Sequence, residues 1–466
     1  MSNAVLWWLQ LGFIGYFIAL NGGYLLLNLT SMISLRRYMA LRADLGDEAP
    51  YLGIEPAISL LVPGYNEEAT ICTSVRSMLQ LQYPDFELVV INDGSRDRTL
   101  DVLIETFELV PYPQPLRRTV AHKPVRGVYR SRRHPNLRVI DKENGGKADA
   151  LNAGINAARH RLFCAVDADS ILQRDSLLRV VQPFLEDERT VAAGGTVRIA
   201  NGSEVVGGFL LRAGLPDTLI ARFQIVEYLR AFLFGRLGWS PLNAVLIISG
   251  AFGLFDRQRV VDAGGYRTDT VGEDMELVVR LHRYHRERRI PYRIRYLPDP
   301  ICWTEAPEDY GTLGRQRSRW QRGLAESLSM HVGLVLGGRG GAAGYLAWPF
   351  MALFEWFGPL VELAGYGFMI GGFVTGVVSP AALMVFLMVA IGMGILLSVN
   401  GLLLETLSFK VYGRKRDMLS LFAVAVLENL GYRQFNTLWR IRGMWQWFTR
   451  RKHQWGVMRR SGRWSS

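Results

Sequence analysis

The chain has 466 residues, 49% of them hydrophobic and twelve of them Trp, and its mean hydropathy is positive, so a globular domain is accompanied by membrane elements. Lys and Arg outnumber Asp and Glu by 54 to 42, a net charge of +12 that suits nucleic acid or the anionic cytoplasmic face of a bilayer. Three scattered cysteines, Cys72, Cys164 and Cys302, exclude a disulfide framework and a zinc site and fit a reducing compartment.

Residues 5–34 carry no charge, which is more than the ~20 apolar residues that span a bilayer core. Arg36, Arg37 and Arg42 follow directly, so the positive-inside rule puts the N-terminus outside and the next domain in the cytoplasm. A cleaved signal peptide is the rival reading; the run is long for one and no basic region precedes it.

From Pro56 to about Leu297, short apolar strands alternate with amphipathic helices. Ala57–Pro63, Phe86–Asn92, Leu137–Asp141 and the run from Arg161 into Val166 read as strands. Glu67–Leu81, Thr99–Phe107 and Lys147–Arg159 read as helices. This alternation predicts an α/β domain with a mostly parallel sheet. Pro111–His134 interrupts it with seven Lys and Arg and no acid, and reads as a solvated insertion loop or a contact for anionic lipid or polymer. Beyond Gly344 the chain is apolar again. Leu353–Val377 and Ala381–Leu404 are each long enough to span, and the basic Lys410–Arg416 returns the chain to the cytoplasm. Met418–Leu438 is broken by Glu428 and Arg433. To keep the basic tail inside, this stretch is a hairpin or interfacial element, or an extra span lies in Tyr345–Trp356. Only that tail follows, so activation by a nucleotide second messenger has no evident receptor in the chain.

The polar clusters fall at strand ends, where α/β sheets bind ligands. Pro63-Gly-Tyr65-Asn66-Glu67-Glu68 follows the first strand and Asn92-Asp93-Gly-Ser the second. Glu143-Asn-Gly-Gly-Lys147 opens a helix, and Asp167-Ala-Asp169 closes the series. Each alone reads equally as a turn or helix cap. Together they suit a nucleoside diphosphate: carboxylates accept bonds from ribose or base, paired glycines admit a phosphate to the backbone, and two acids hold a hard cation. Gly338-Arg-Gly-Gly-Ala-Ala lacks a preceding strand and reads as a flexible linker. Gln10, Asn21 and Asn28 are polar enough to face other helices within the first span.

Read in order, Pro-Gly-Tyr-Asn-Glu, Asn-Asp-Gly-Ser, Gly-Gly-Lys-Ala-Asp-Ala-Leu-Asn, Val-Asp-Ala-Asp, Gly-Glu-Asp and Gln-Arg-Ser-Arg-Trp resemble the membrane-integrated family 2 glycosyltransferases that make cellulose, chitin, hyaluronan and poly-N-acetylglucosamine. The resemblance covers about residues 56–330. It implies a GT-A-type domain joined to an all-α transmembrane region. It further implies that Tyr65, Asn66, Glu67, Asp93, Lys147 and Asp167 bind a UDP-sugar, with Asp93 on the uridine. Asp169, with Asp167 beside it, holds Mg²⁺ or Mn²⁺ on the diphosphate. Asp274 is the catalytic base and Glu273 its neighbour. Gln316, Arg319 and Trp320, on one helix face, close the donor site and line the entrance of a polymer channel. Ser249, Gly250, Ala251 and Phe252, with Trp320, lie beneath the acceptor. The capping and packing readings of Glu273, Asp274, Gly250 and the Trp320 helix stay open beside these.

The expected division is a transmembrane helix over 1–35, a cytoplasmic linker over 36–55, the catalytic domain over 56–330 and an interfacial linker over 331–352. Transmembrane helices follow over 353–440 and a basic tail over 441–466. The expected function is processive, inverting transfer from a UDP-sugar to a β-linked polysaccharide at a multi-pass inner-membrane site. Partners are the bilayer, a polysaccharide or lipid-linked acceptor and accessory export or assembly subunits, with no nucleic acid. Transfer of one sugar to a lipid, and a non-catalytic nucleotide-sugar sensor, are the alternatives.

Overall fold

The computed structural model describes residues 3–45 and 53–450. Part of the 36–55 linker and most of the 441–466 tail lie outside the described residues. The strands are β1 (Ile58–Gly64), β2 (Phe86–Asn92), β3 (Leu109–Pro111), β4 (Val125–Ser131), β5 (Leu137–Lys142), β6 (Leu162–Val166), β7 (Ile171–Leu172), β8 (Thr190–Ile199), β9 (Glu204–Val206), β10 (Phe209–Arg212), β11 (Phe252–Asp256) and β12 (Arg293–Thr304). Ten of them form one sheet in the order β3-β4-β5-β2-β1-β6-β11-β8-β12-β7, while β9 and β10 pair as a separate hairpin.

The centre, β5-β2-β1-β6, is parallel. Its strands are apolar without alternation because helices cover both faces. Gly64 pairs with Asn92, and Asn92 with Asp141, so the carboxyl ends of β1, β2 and β5 are level. Then β11 runs antiparallel to β6, with Phe252 opposite Val166. The residues entering β11 therefore lie beside those leaving β6, which joins the 249–251 segment to Asp167.

Several boundaries differ from the sequence reading. Val125–Ser131 is not loop: it pairs antiparallel with β5 and carries β3 at the sheet edge. Arg126 reaches Asp141 at 2.6 Å and Arg130 lies over the Tyr112 ring, so the basic side chains decorate an edge strand. The first helix runs Asn3–Leu45, past the apolar run. Tyr38 and Arg42, one turn apart, both bond the buried Asp299 of β12 and hold the extension on the domain. The helix expected over Glu67–Leu81 is shortened to Ile71–Met78, with Glu67 in the turn before it, its backbone carbonyl accepting from the Thr70 and Ile71 amides.

Among the described residues, two helices are long and apolar enough to cross a bilayer, Ala4–Ala40 and Pro380–Ser408; Ala343–Trp356 with Gly358–Val374, bent by 46°, makes a third if it is one span. They associate the chain with a membrane. Much of the stretch expected as linker over 331–352 is thus helical, although Gly338 and Gly341 keep positive φ in the turn between. Asn21 is buried and donates to the Val389 carbonyl of the Pro380–Ser408 segment at 3.1 Å. The chain kinks at Leu430 and Gly431 and continues as the helix Arg433–Phe448, carrying helix past the expected tail boundary. Polar pairs tie these helices together: Arg230 to Glu428 at 2.8 Å, Arg440 to Glu355 at 2.8 Å and Thr437 to Glu362 at 2.8 Å.

Candidate active site

Behind the Gly145-Gly146 loop lies an ionic cluster. Lys142, fully buried at the end of β5, donates to Asp93 at 2.6 Å and pairs with Asp149 at 2.5 Å. Asp93 is 2% exposed and also accepts from the Gly145 and Gly146 amides at 3.0 and 2.7 Å and from Asn144 at 3.2 Å. Both carboxylate oxygens are consumed in shaping the loop, so Asp93 stands behind the surface where a uridine contact was expected. Asn66, in the left-handed region at φ 56, accepts from the Arg96 amide at 2.8 Å, and the Glu67 amide donates to Thr99 at 2.8 Å. These two residues lock the β1 and β2 loops together, while Tyr65 is exposed.

The loop delivers Lys147 to the front. Its ammonium pairs with Asp167, donates to the Gly250 carbonyl at 3.0 Å and lies 4.0 Å from Glu273. The Gly250 amide in turn donates to Asp274 at 3.0 Å. One peptide segment thus bonds the lysine with its oxygen and the expected base with its nitrogen. A β-carbon at Gly250 would lie 2.8 Å from the Lys147 nitrogen and 3.4 Å from Asp274, so a larger residue there would have to displace the end of the lysine side chain. Burial tends to lower the Lys147 pKa, but Asp167 and Glu273 outweigh it and raise the net value, keeping the ammonium charged. Burial pushes Glu273 above the ordinary glutamate range against the pull of Lys147. Asp167 and Asp169 are half-buried at the exit of β6. Two carboxylates one residue apart form an all-oxygen donor set that fits a hard divalent cation. Among the described residues no cluster of three or more His, Cys, Asp or Glu is assembled for a metal, so further ligands would be phosphate or water oxygens.

Glu273 and Asp274 open the helix Glu273–Arg288, whose start crosses the helix Tyr310–Met330 with backbones touching. A β-carbon on Gly272 would lie 2.8 Å from the Gly323 α-carbon, and the converse distance is 2.9 Å. The second helix carries Gln316, Arg317, Arg319 and Trp320. Gln316 is buried and accepts from Arg317 at 3.1 Å. Arg319 is half-buried and acts electrostatically on Glu273. Trp320 is 43% exposed, with the Arg317 guanidinium 4.3 Å from its ring. Arg317 itself pairs with Glu227 at 2.7 Å. The helix is bound to Arg433–Phe448 through Ser318 to the Trp439 carbonyl at 2.9 Å and Arg440 to Gln321 at 2.9 Å.

Of the expected site residues, Lys147, Asp167, Gly250, Glu273 and Asp274 meet at one point. Ser249 stays half-buried beside it, Ala251 is buried and accepts the Asp167 amide, and Phe252 is fully buried as the first residue of β11. Phe252 therefore cannot offer its ring to an acceptor. Lys142 and Glu227 were not picked out from the sequence, and Asp149 and Arg317 stood inside quoted motifs without a role of their own. For Lys142 a signal existed, a lysine closing an otherwise buried strand; Glu227 and Arg317 are 90 residues apart and left none.

The description "Glycosyl transferase family 2" matches residues 59–207, and "Glycosyl transferase family group 2" matches residues 162–396, half of the chain. The chain is 30% identical over 272 residues to a poly-beta-1,6-N-acetyl-D-glucosamine synthase of Staphylococcus epidermidis, an alignment covering 58% of this chain and 55% of that protein. To the corresponding synthase of Staphylococcus aureus (strain COL) it is 32% identical over 274 residues, with the same two shares, 58% and 55%. The chain thus spans about half the length of these curated relatives. Among solved structures, mannosyltransferase PcManGT from Pyrobaculum calidifontis, in complex with GDP-Man and Mn²⁺, shares the fold at a TM-score of 0.50 and 19% identity, over 89% of this chain and 99% of that one.

Proposed function

We propose, from the premise that this chain belongs to glycosyl transferase family 2, that it is a processive, inverting enzyme that extends a β-linked polysaccharide from a UDP-sugar and passes the product through its own membrane helices. The observation that carries the chemical half is the pair of hydrogen bonds at Gly250, its carbonyl accepting from Lys147 on the donor side and its amide donating to Asp274 on the other. Asp274 takes the proton of an acceptor hydroxyl as that oxygen attacks the anomeric carbon; the bond to the nucleoside diphosphate breaks from the opposite face, and an α-linked donor gives a β-linked product. Lys147 and Arg319 meet the charge of the departing diphosphate. Asp169, with Asp167, would hold Mg²⁺ or Mn²⁺, whose chemistry is to neutralise the same charge. Tyr65 and Gln316 line the donor side, and Trp320 gives the acceptor sugar a flat apolar face.

Export is supported by the ion pairs of the helical region, Arg230 with the buried Glu428 and the half-buried Arg440 with Glu355, since ionisable groups inside a membrane domain face a polar path or one another. The site is multi-pass, in the inner membrane with the catalytic domain cytoplasmic. The sugar proposed first is N-acetylglucosamine, after the synthases that share about a third of their residues with the aligned half.

Purified protein in nanodiscs, given labelled UDP-sugars and GDP-mannose with Mg²⁺ or Mn²⁺, tests the reading. The expected product is a polymer from UDP-N-acetylglucosamine, digestible by a β-specific glycosidase. A product one sugar long sinks processivity in favour of single transfer. Retention of metal-dependent UDP-sugar binding in Asp169→Asn removes the metal assignment.

A further inference from the structure

Away from the site, a cavity of about 280 Å³ lies between the β9–β10 hairpin, the helix Leu219–Leu229 and the start of the helix Lys415–Leu427. Arg212, Arg222, Arg414, Arg416, Asp417 and Ser420 line it. Arg222 donates to the Pro216 carbonyl at 2.7 Å and to Ser420 at 3.2 Å, which holds its guanidinium in place. Among the described residues, none of the four arginines is ion-paired with a carboxylate, so four cations face one acid, Asp417. Such a concentration of like charge calls for an anion. The backbone around it is tightly fitted: a β-carbon on Gly214 would meet the Gly202 carbonyl at 2.0 Å, so the hairpin bearing Arg212 has a fixed seat.

The level of the cavity says which anion. The apolar segment Pro380–Ser408 ends six residues before Arg414, and Glu405 near that end is bonded to Arg198 of β8, which fixes the membrane exit against the sheet. Leu211, Leu219 and Leu419 are exposed on the elements that carry the arginines, and Leu407 is exposed at the end of the apolar segment. Guanidinium groups bordered by exposed aliphatic side chains match a bilayer surface, with acyl chains beneath and phosphate at the height of the charges. We propose that this cavity binds the headgroup phosphate of an anionic phospholipid and so seats the sheet domain on the leaflet it faces. The lipid phosphate takes bonds from Arg212, Arg414 and Arg416, and Arg222 closes the back.

Native mass spectrometry of the full chain, released from detergent in equal amounts of phosphatidylglycerol and phosphatidylcholine, reads the occupant without any sugar donor. The wild type is expected to retain phosphatidylglycerol over phosphatidylcholine by roughly tenfold, the size that a few basic contacts at a membrane surface supply. Arg212→Gln/Arg414→Gln/Arg416→Gln removes that preference, and Asp417→Asn, by deleting the one repelling charge, strengthens it. The pair Arg132→Gln/Arg133→Gln, in the turn just after β4, leaves it unchanged. Should the triple variant fail to fold, Arg416→Gln alone and Asp417→Asn must still shift the preference in opposite directions. A preference that survives the triple variant, or falls with the Arg132/Arg133 pair, overturns the proposal. Loss of the phosphatidylglycerol adduct to excess inorganic phosphate overturns the lipid in favour of a free phosphate.

Discussion

Lys142 and Lys147 are five residues apart on one loop, and each stands between two carboxylates. Lys142, with Asp93 and Asp149, is sealed from solvent, and amide donors satisfy the remaining oxygens. Lys147 meets Asp167 and Glu273 on the side that opens outward, with Asp167 a third exposed and Asp274 and Asp169 close by in the same site. The ionic chemistry is the same and the accessibility is opposite. Behind the loop, one ammonium and several neutral amide donors satisfy both carboxylates, and their work is to hold a shape. In front, acids outnumber bases, and the surplus is what a cation and a polarised hydroxyl would need. Burial and hydrogen-bond satisfaction, rather than residue type, separate scaffold from chemistry here.

The largest effect expected is on the front side. Asp274→Asn should lower turnover by about 10³-fold with the melting temperature unchanged, since a positioned base contributes on the order of 10²–10⁴; nucleoside diphosphate release and a thermal melt measure the two. Behind the loop the pattern should invert. Lys142→Met strands two buried carboxylates and should cost about 3 kcal/mol of stability, visible as a lowered melt and as protease sensitivity before any change in KM. A Lys142→Met protein that melts normally would break the comparison. Gly250→Ala lies between the two classes: its methyl group pushes Lys147 from Asp274, and turnover should fall roughly 10²-fold, the scale of a ~1 Å misplacement, in a folded protein.

The smallest effect is a pH dependence. Glu273 has its folded pKa raised by burial, so the folded state holds its proton more tightly than the unfolded one. Its presence therefore destabilises the fold progressively as pH climbs from the ordinary glutamate value through the raised one, and is neutral below both. Glu273→Gln should raise the melting temperature by roughly 2 °C at neutral pH and by nothing in acid, a difference that a pH series of melts resolves.

The central strands and their loops could be read from the sequence because parallel strands covered on both faces are unbroken apolar runs and their turns collect Gly, Asn and Asp. Asp167 and Lys147 stood out for the same reason, whereas Asp274, at the start of a helix, was reached only through the Gly-Glu-Asp of the resemblance. The edge strand β4 was not, since its outward face is basic and its alternation resembles a charged loop. Asp93 was legible as a residue of interest but not in its orientation: an acid at a strand end looks alike whether it faces a ligand or the loop beside it. The burial of Phe252 was not legible because a short run of small residues ahead of a strand looks alike whether its last residue faces a site or the core. The docking of Arg433–Phe448 on the Gln316 helix rests on Gly443 against Ser318, positions with no local periodicity to announce them.

The crossing of Gly272 and Gly323 constrains change in the sequence itself. Each glycine occupies the space that a methyl group on the other would need. A substitution at either one forces the two helices apart, and no second substitution at its partner can restore the fit, because nothing is smaller than hydrogen. The two codons behave as one inherited character: the neighbourhood can drift, but the point where the helix of the base meets the helix of Trp320 has no neutral path away from where it stands.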